Sequence, residues 1–543
     1  MADTKATGIE SDRPELEQED EATVDRVVKT VAAGQHVRLM QVELLDVTDR
    51  HNELVHEREW LLHPSERELS LKGNLFVVDD LETGTGQIFV KAAPLPHARP
   101  IPSEQDLAVR PTKPGGFEFD LLEAKGSTDD PWTILEYAGG VVERSRVLHE
   151  WQASHRPDTI SHTIPRFISN TWGDRSRDSR IRQDFLESEI DRAAAMGVDV
   201  VQIDDGWEQG VTANSSLAQE KGGVWEGFWN SDPDFWKPHP DRFPDGLQPI
   251  VDRVKKHGMN LGLWFGPDSW EDFGNWERDA ETILDFYRTY GIEHIKIDGV
   301  KARTTTSLGN LQHFFKTVLD GSRGNVIFDL DVTAEIRPGY LGAMNVGPLF
   351  VENRYTDWHN YWPHQTLRNL WQLSRWIDPR RLRMEFLNNA RNVEQYESDP
   401  VAPGTYDPST LFATVMCSNP LGWFEVSSLS DEYVASVAEL VARWKDVREE
   451  LFAGTILPVG AAPDGRSFSG LVSLADDGRS GLGVVFRGKT PSESASLSIP
   501  GGPGSRRCDI LHTNCGAHAE VVDGILRVSI RDPFGHAFIR FGR

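Results

Sequence analysis

The sequence predicts an α/β protein: a (β/α)8 TIM barrel between an N-terminal antiparallel β domain and a C-terminal β-sandwich. Three observations predict it. From about 162 to 452, eight short apolar runs alternate with amphipathic helical stretches. On either side the pattern changes to short alternating segments separated by loops with Pro and Gly. Polar residues, most often carboxylates, close at least five of the eight runs. A closed barrel gathers all its strand ends into one ring.

Residues 1–24 are acidic and read as a disordered lead-in. Residues 25–161 carry HVRLMQVELLDVT, NLFVVDDLE and GQIFVKAAPL, which read as strands of a sandwich-like domain. VVERSRVLHEWQASHRP follows as a helix or an extended linker. The barrel, 162–452, has strand candidates RFISNTW, VDVVQIDDGW, NLGLWFGP, HIKIDGV, NVIFDLD, GPLFVEN and RLRMEFLNN, with an eighth near TVMCSNPLGWF. Several of the helices between them end in Gly, a helix-stop signal. A doubly wound sheet is the alternative, but no G-x-G-x-x-G follows the first strand. Residues 453–543 return to β pattern, as in GLVSLA and SGLGVVFRG.

Composition narrows the function. The chain has 543 residues, a net charge of −27 and 38% hydrophobic residues, which fits a soluble protein that repels nucleic acid. No apolar run reaches the roughly 18 residues of a membrane-spanning helix. The N-terminus has no apolar signal region, so the cytoplasm is the expected location. Cys417, Cys508 and Cys515 form no paired framework, which favours free thiols. Many of the 17 tryptophans fall between Trp172 and Trp376, often beside Asp, Glu or Asn. Flat aromatic faces beside carboxylates suit a sugar site, although most tryptophans build core.

The five polar strand ends are Trp172-Gly173-Asp174, Asp204-Asp205-Gly206-Trp207, Lys296-Ile297-Asp298, Asp329-Leu330-Asp331 and Glu352-Asn353-Arg354. One such end is readily a helix cap, and Asp174 reads that way. Five converging ends are better explained as one pocket. Lys296 and Asp298 point to the same side of a strand, where the cation would keep the carboxylate ionised. A structural ion pair inside the barrel is the plainer alternative.

The run from Ser169 to about Asn389 resembles the α-galactosidases of glycoside hydrolase family 36, in clan D. VQIDDGWEQG resembles the family's aspartate-pair strand, LGLWFGPDSW its GLWFEPE strand and HIKIDGV its YIKWD strand. SNTWGD resembles the family's barrel opening, and DVTAEIR lies where the family has a Cys- and Gly-rich segment ending in Arg. The resemblance implies a retaining exo-α-glycosidase without cofactor or metal, acting on an oligosaccharide or other α-glycoside. Asp298 would attack the anomeric carbon. Lys296, Asp204, Asp205, Asp331 and Arg337 would bind sugar hydroxyls, with Trp172 and Trp264 as apolar walls. Adjacent strand residues face opposite ways, so Asp204 and Asp205 serve together only where the strand has become loop.

One position departs from the family. The family's acid/base aspartate falls on Arg354, and a guanidinium cannot donate that proton. Glu352 and Asp357 are the candidate replacements, and Arg354 would grip an unusual substrate group. An N-cap role is the plainer reading of Asp357. A raffinose-synthase-like transglycosylase, an α-glycosidase for another sugar and a non-catalytic sugar-binding protein are the alternatives. A homo-oligomer stays open.

Overall fold

The computed structural model of the chain describes residues 24–45, 54–64, 67–124, 131–157, 159, 164–333, 337–502 and 504–542. The expected lead-in lies outside them, apart from Val24, which opens the first strand. Strands between Val24 and Ala138 form a four-stranded and a five-stranded antiparallel sheet. Leu39, Phe76, Phe89 and Phe119 fill the core between them. The segment that read as helix or linker is a helix, Val141–Ala153. Gln152 anchors it to the barrel by donating to the Trp376 carbonyl at 2.7 Å.

Eight parallel strands close the barrel: β1 (Ile168–Asn170), β2 (Val200–Ile203), β3 (Asn260–Phe265), β4 (His294–Ile297), β5 (Ile327–Asp331), β6 (Leu349–Phe350), β7 (Leu382–Phe386) and β8 (Asn419–Trp423). The longer helices are α1 (Gln183–Met196), α2 (Gln248–Lys256), α3 (Trp276–Tyr290), α4 (Thr305–Gly321), α5 (Pro363–Leu373), α6 (Pro408–Val415) and α7 (Asp431–Ala453). Their ends follow local chemistry. Thr304 and Ser307 form a capping box at the start of α4. Gly197 ends α1 in the left-handed region at φ 86°. Outward residues such as Ile203, Leu263, Ile295, Phe328 and Met384 pack into the main apolar core.

After the barrel, eight strands from Thr455 to Phe541 hydrogen-bond in one continuous antiparallel sheet. Two separate sheets were expected of a sandwich. Here the strand Arg506–Thr513 belongs to both halves, which close on Leu457, Val472, Leu526 and Ile539.

The barrel interior is not simply apolar. Parallel register places Asn170 beside Gln202, Trp264 beside Lys296, and Lys296 beside Asp329. Residues paired across parallel strands share a facing, so these all point inward. They join in a hydrogen-bonded column. Arg383 donates to Asp329 Oδ1 through Nε at 3.0 Å and Nη2 at 2.7 Å. Gln202 reaches Asp329 at 3.4 Å and accepts from Asn170 at 2.8 Å. Asn170 also donates to Asp204 Oδ2 at 2.7 Å, which in turn accepts from Lys296 Nζ at 2.8 Å. The members of this column are at most 5% exposed. Removing one partner of such a pair strands a buried charge, at a cost of about 3–5 kcal/mol. Arg383→Met is therefore expected to lose about that much in urea unfolding. Arg383→Met with Asp329→Leu is expected to recover part of the loss. A double variant no better than the single one would show that the pair is not the source.

Candidate active site

The C-terminal ends of β2 to β5 bring six polar side chains together. Asp298 follows the last residue of β4. Its Oδ1 accepts from the Gly299 backbone N–H at 2.7 Å and from Arg337 Nη2 at 3.1 Å. Its Oδ2 accepts from Trp264 Nε1 at 3.3 Å. Gly299 has φ 70°, a conformation glycine adopts freely, and this aims its N–H back at the carboxylate. The Asp298 side chain is 16% exposed, against 6% for Lys296 and 5% for Arg337. Of these three it is the group an incoming molecule can best reach.

Arg337 holds a second carboxylate, with Nη1 3.1 Å from Asp331 Oδ1. Asp331 also accepts from the Thr333 N–H at 3.0 Å and hydroxyl at 2.7 Å. One guanidinium thus bridges the ends of the neighbouring strands β4 and β5. The two carboxyls titrate in opposite directions. Burial pulls Asp298 upward, but Arg337, then Lys296, the Gly299 N–H and Trp264 outweigh it and hold Asp298 below its ordinary value. Burial and the charge of Asp298 raise Asp331 above its ordinary value, against Arg337, Lys296 and Thr333. For Lys296, burial favours the neutral form, but Asp204, Asp298 and Asp331 outweigh it and keep the ammonium charged.

The aspartate pair after β2 divides between two sites. β2 ends at Ile203, and Asp204 enters the column beneath Lys296. Asp205 turns the other way, and its Oδ2 accepts from the Thr212 hydroxyl at 2.6 Å. Burial, then the nearby Glu208 carboxyl, holds Asp205 well above its ordinary value. Gly206 makes this bend. It has φ 120°, and an added Cβ would lie 2.3 Å from the Asp178 Cβ. Asp205 therefore belongs to the wall of the β2 loop rather than to the group around Asp298. Trp207 is core, and its Nε1 donates to the Trp264 carbonyl at 2.9 Å, which seats the ring that touches Asp298. Trp172 is half-buried against Phe350, Tyr355 and Trp423 at the mouth.

Glu352 and Arg354 stand apart from this group. β6 spans only two residues, so strand alternation stops at Phe350. Glu352 is held from α5. Its Oε2 accepts from the Thr366 hydroxyl at 2.8 Å, and Asn369 donates to its Oε1. Arg354 Nη2 donates to the same Oε1 at 3.1 Å, while Nη1 donates to the Asn360 carbonyl and to Gln365. Both side chains are buried between the β6 loop and α5. Arg354, read from the sequence as a grip on substrate, and Glu352, read as a replacement acid/base sharing its facing, are thus bonded to each other and engaged by the β6 loop and α5. Tyr355 is the residue that packs among the inward-facing Ile168, Phe350, Leu421 and Trp423. Asp357 lies at the rim, 39% exposed, with Oδ2 3.0 Å from Arg175 Nε. Arg175 in turn covers the rings of Tyr355 and Trp358.

Gln202, Arg383 and the Gly299 N–H were not singled out from the sequence. Gln202 and Arg383 carried a usable signal, since each is a polar residue inside an apolar strand run. Among the described residues, no cluster of three His, Cys, Asp or Glu could hold a metal ion. No helix among them is long and apolar enough to cross a membrane.

Residues 127–274 match the Melibiase family model. The chain is 29% identical over 149 residues to the probable α-galactosidase G of Emericella nidulans, which covers 26% of this chain and 19% of that protein. It is 32% identical over 85 residues to an α-galactosidase of Escherichia coli, covering 16% of this chain and 10% of that protein. The matched stretches thus span a fifth or less of those relatives. The fold extends further. The GH36 α-galactosidase AgaA of Geobacillus stearothermophilus, in complex with 1-deoxygalactonojirimycin, superposes with a TM-score of 0.65 at 13% identity, over 94% of this chain and 76% of that one. The galactosidase domain of the α-galactosidase–sucrose kinase AgaSK gives 0.64 at 12% identity, over 94% and 75%.

The group around Asp298 has a measurable signature. In Lys296→Met, Asp298 loses a cation and is expected to protonate at a higher pH than in the parent. Carbon-13 titration of the aspartate carboxyls reads this directly. The sign follows from linkage. A carboxyl held low stabilises the fold above its ordinary pKa, and this is lost as pH falls through the lowered value. The variant should therefore lose its share at higher pH than the parent. An unchanged titration would mean that Arg337 alone sets the charge.

Proposed function

We propose, from the premise that this is a melibiase-like protein with the fold of the GH36 α-galactosidases, that it is a retaining exo-α-glycosidase of α-galactosidase type. The observation that carries the reading is Asp298. It is ionised by Arg337 and Lys296, oriented by the Gly299 N–H and Trp264, and the most accessible of those charged groups. Such a carboxylate suits nucleophilic attack on an anomeric carbon, giving a covalent glycosyl-enzyme. Related structures hold raffinose and stachyose, so a terminal α-galactoside of an oligosaccharide is the proposed substrate. Lys296, Arg337 and Asp204 would meet its hydroxyls, and Trp172 and Trp264 its apolar face. A cytoplasmic setting fits the three free cysteines.

The proton donor in this reading is Asp331. A retaining site needs two carboxyls about 5–5.5 Å apart. Asp298 and Asp331 follow the in-register pair Ile297 and Leu330 on adjacent strands and share the Arg337 guanidinium. Carboxyls driven in opposite directions by their surroundings divide the acid and base roles between them. Asp331 would protonate the leaving oxygen, then deprotonate the water that releases the sugar. Asp357 is the second reading, supported by its exposure at the rim, where an aglycone would leave.

Two experiments test this. Asp298→Asn is expected to lower kcat on an aryl α-galactoside by about 10³-fold or more. Intact-protein mass spectrometry of the parent, treated with an activated fluorosugar, should locate an adduct on Asp298. Full activity in Asp298→Asn would sink the reading. For the donor, Asp331→Asn should spare substrates with acidic phenol leaving groups and lose those with alkyl leaving groups, and added azide should yield a glycosyl azide. The same pattern in Asp357→Asn, with Asp331→Asn insensitive to the leaving group, would transfer the role to Asp357.

A further inference from the structure

At the opposite end of the barrel, the strands begin around a small cavity of about 20 Å³. Arg156, Arg166, Arg380, Arg381 and Arg383 all line it, together with His294. Among the described residues, three carboxylates balance these five guanidiniums. Asp378 pairs with Arg156 at 3.0 Å and with Arg380 at 2.9 Å. Asp329 pairs with Arg383 at 2.7 Å. Glu293 acts on Arg166 from a half-buried position. Among the described residues, Arg381 makes no ion pair within 4 Å, and its guanidinium donates to the Tyr340 and Ala343 carbonyls.

Hydrogen-bond accounting leads to the same place. Arg156 Nη1, Arg166 Nε and Arg381 Nε are buried without an acceptor among the described residues. They come from three separate segments of chain that converge only here. Burial, then the charge of Arg156, lowers Arg381 to about 9, against the pull of Asp378. Unmatched positive charge buried in a protein of net charge −27 is costly unless an anion answers it.

We propose that this cavity is a binding site for a small monoatomic anion, chloride under ordinary conditions. The volume admits one atom-sized occupant and leaves no room for a phosphate or carboxylate group. The guanidinium groups supply charged donors from several sides. The site is linked to the column, because Arg383 both lines it and holds Asp329.

The test compares sodium chloride with sodium gluconate at equal ionic strength on the intact protein. A bound anion stabilises the folded state by mass action, so Tm should rise with the logarithm of chloride concentration and stay flat in gluconate. Crystals grown or soaked in bromide should show an anomalous peak between Arg156, Arg166 and Arg381. Arg166→Gln should raise the chloride concentration needed for half the effect by about tenfold. Equal Tm in the two salts with no bromide peak would overturn the proposal. So would a response to inorganic phosphate with none to chloride. Neither result depends on catalytic activity, so both are independent of the role of Asp298.

Discussion

The hydrogen bond between Lys296 and Asp204 is the point on which the rest of this barrel depends. It sits where the buried column ends and the reactive group begins. Below it, Asn170, Gln202, Asp329 and Arg383 pass hydrogen bonds down the axis. Above it, the same ammonium acts on Asp298 and Asp331. A buried ion pair contributes little net stability once desolvation is counted, and an apolar replacement often does as well. Its value is positional. Each member of the column satisfies the next, so none can turn away without leaving a polar group unpaired. Lys296 is therefore set by the barrel beneath it, and Asp298 meets a cation already in place.

That arrangement explains why the sequence was readable at some positions and not at others. The barrel was legible because eight apolar runs kept their spacing and the helices carried recognisable ends. Lys296 and Asp298 were legible because two-residue periodicity holds along β4 up to its last residue. The same rule failed after β6. Glu352 and Arg354 were expected to face the axis as alternate residues of a continuing strand. The strand stops at Phe350, and the chain then follows α5, whose Thr366, Asn369 and Gln365 offer both groups partners. Periodicity carries no information where the backbone is no longer extended.

Asp204 and Asp205 show the same limit on a smaller scale. The dipeptide was visible as a carboxylate pair, but its division between column and loop is decided by Gly206 and by the hydroxyl of Thr212. Nothing local in the sequence reveals either. Gln202 was legible in principle, as a polar residue on an inward strand position. Its meaning appears only once Asn170 and Asp329 stand beside it in three dimensions. The arginines between Arg380 and Arg383 read as the start of a strand. Only barrel closure brings Arg156 and Arg166 to them.

Net charge describes the surface of this chain and misleads about its interior. The two ends of the barrel carry opposite imbalances. At the floor, five guanidiniums meet three carboxylates among the described residues, and the surplus there is positive. At the mouth, Lys296 and Arg337 face Asp204, Asp298 and Asp331, and the surplus is one carboxyl. Burial and the charge of Asp298 raise Asp331, while Arg337 and Lys296 hold Asp298 below its ordinary value. Asp204 is committed to Lys296 and Asn170, and Asp298 to Arg337, the Gly299 N–H and Trp264. Of Asp298 and Asp331, Asp331 is the carboxyl held above its ordinary value, and its partners are Thr333 and a guanidinium already shared with Asp298. The proposed division of roles between Asp298 and Asp331 rests on these opposite directions and on their shared guanidinium, and not on an aspartate at position 354.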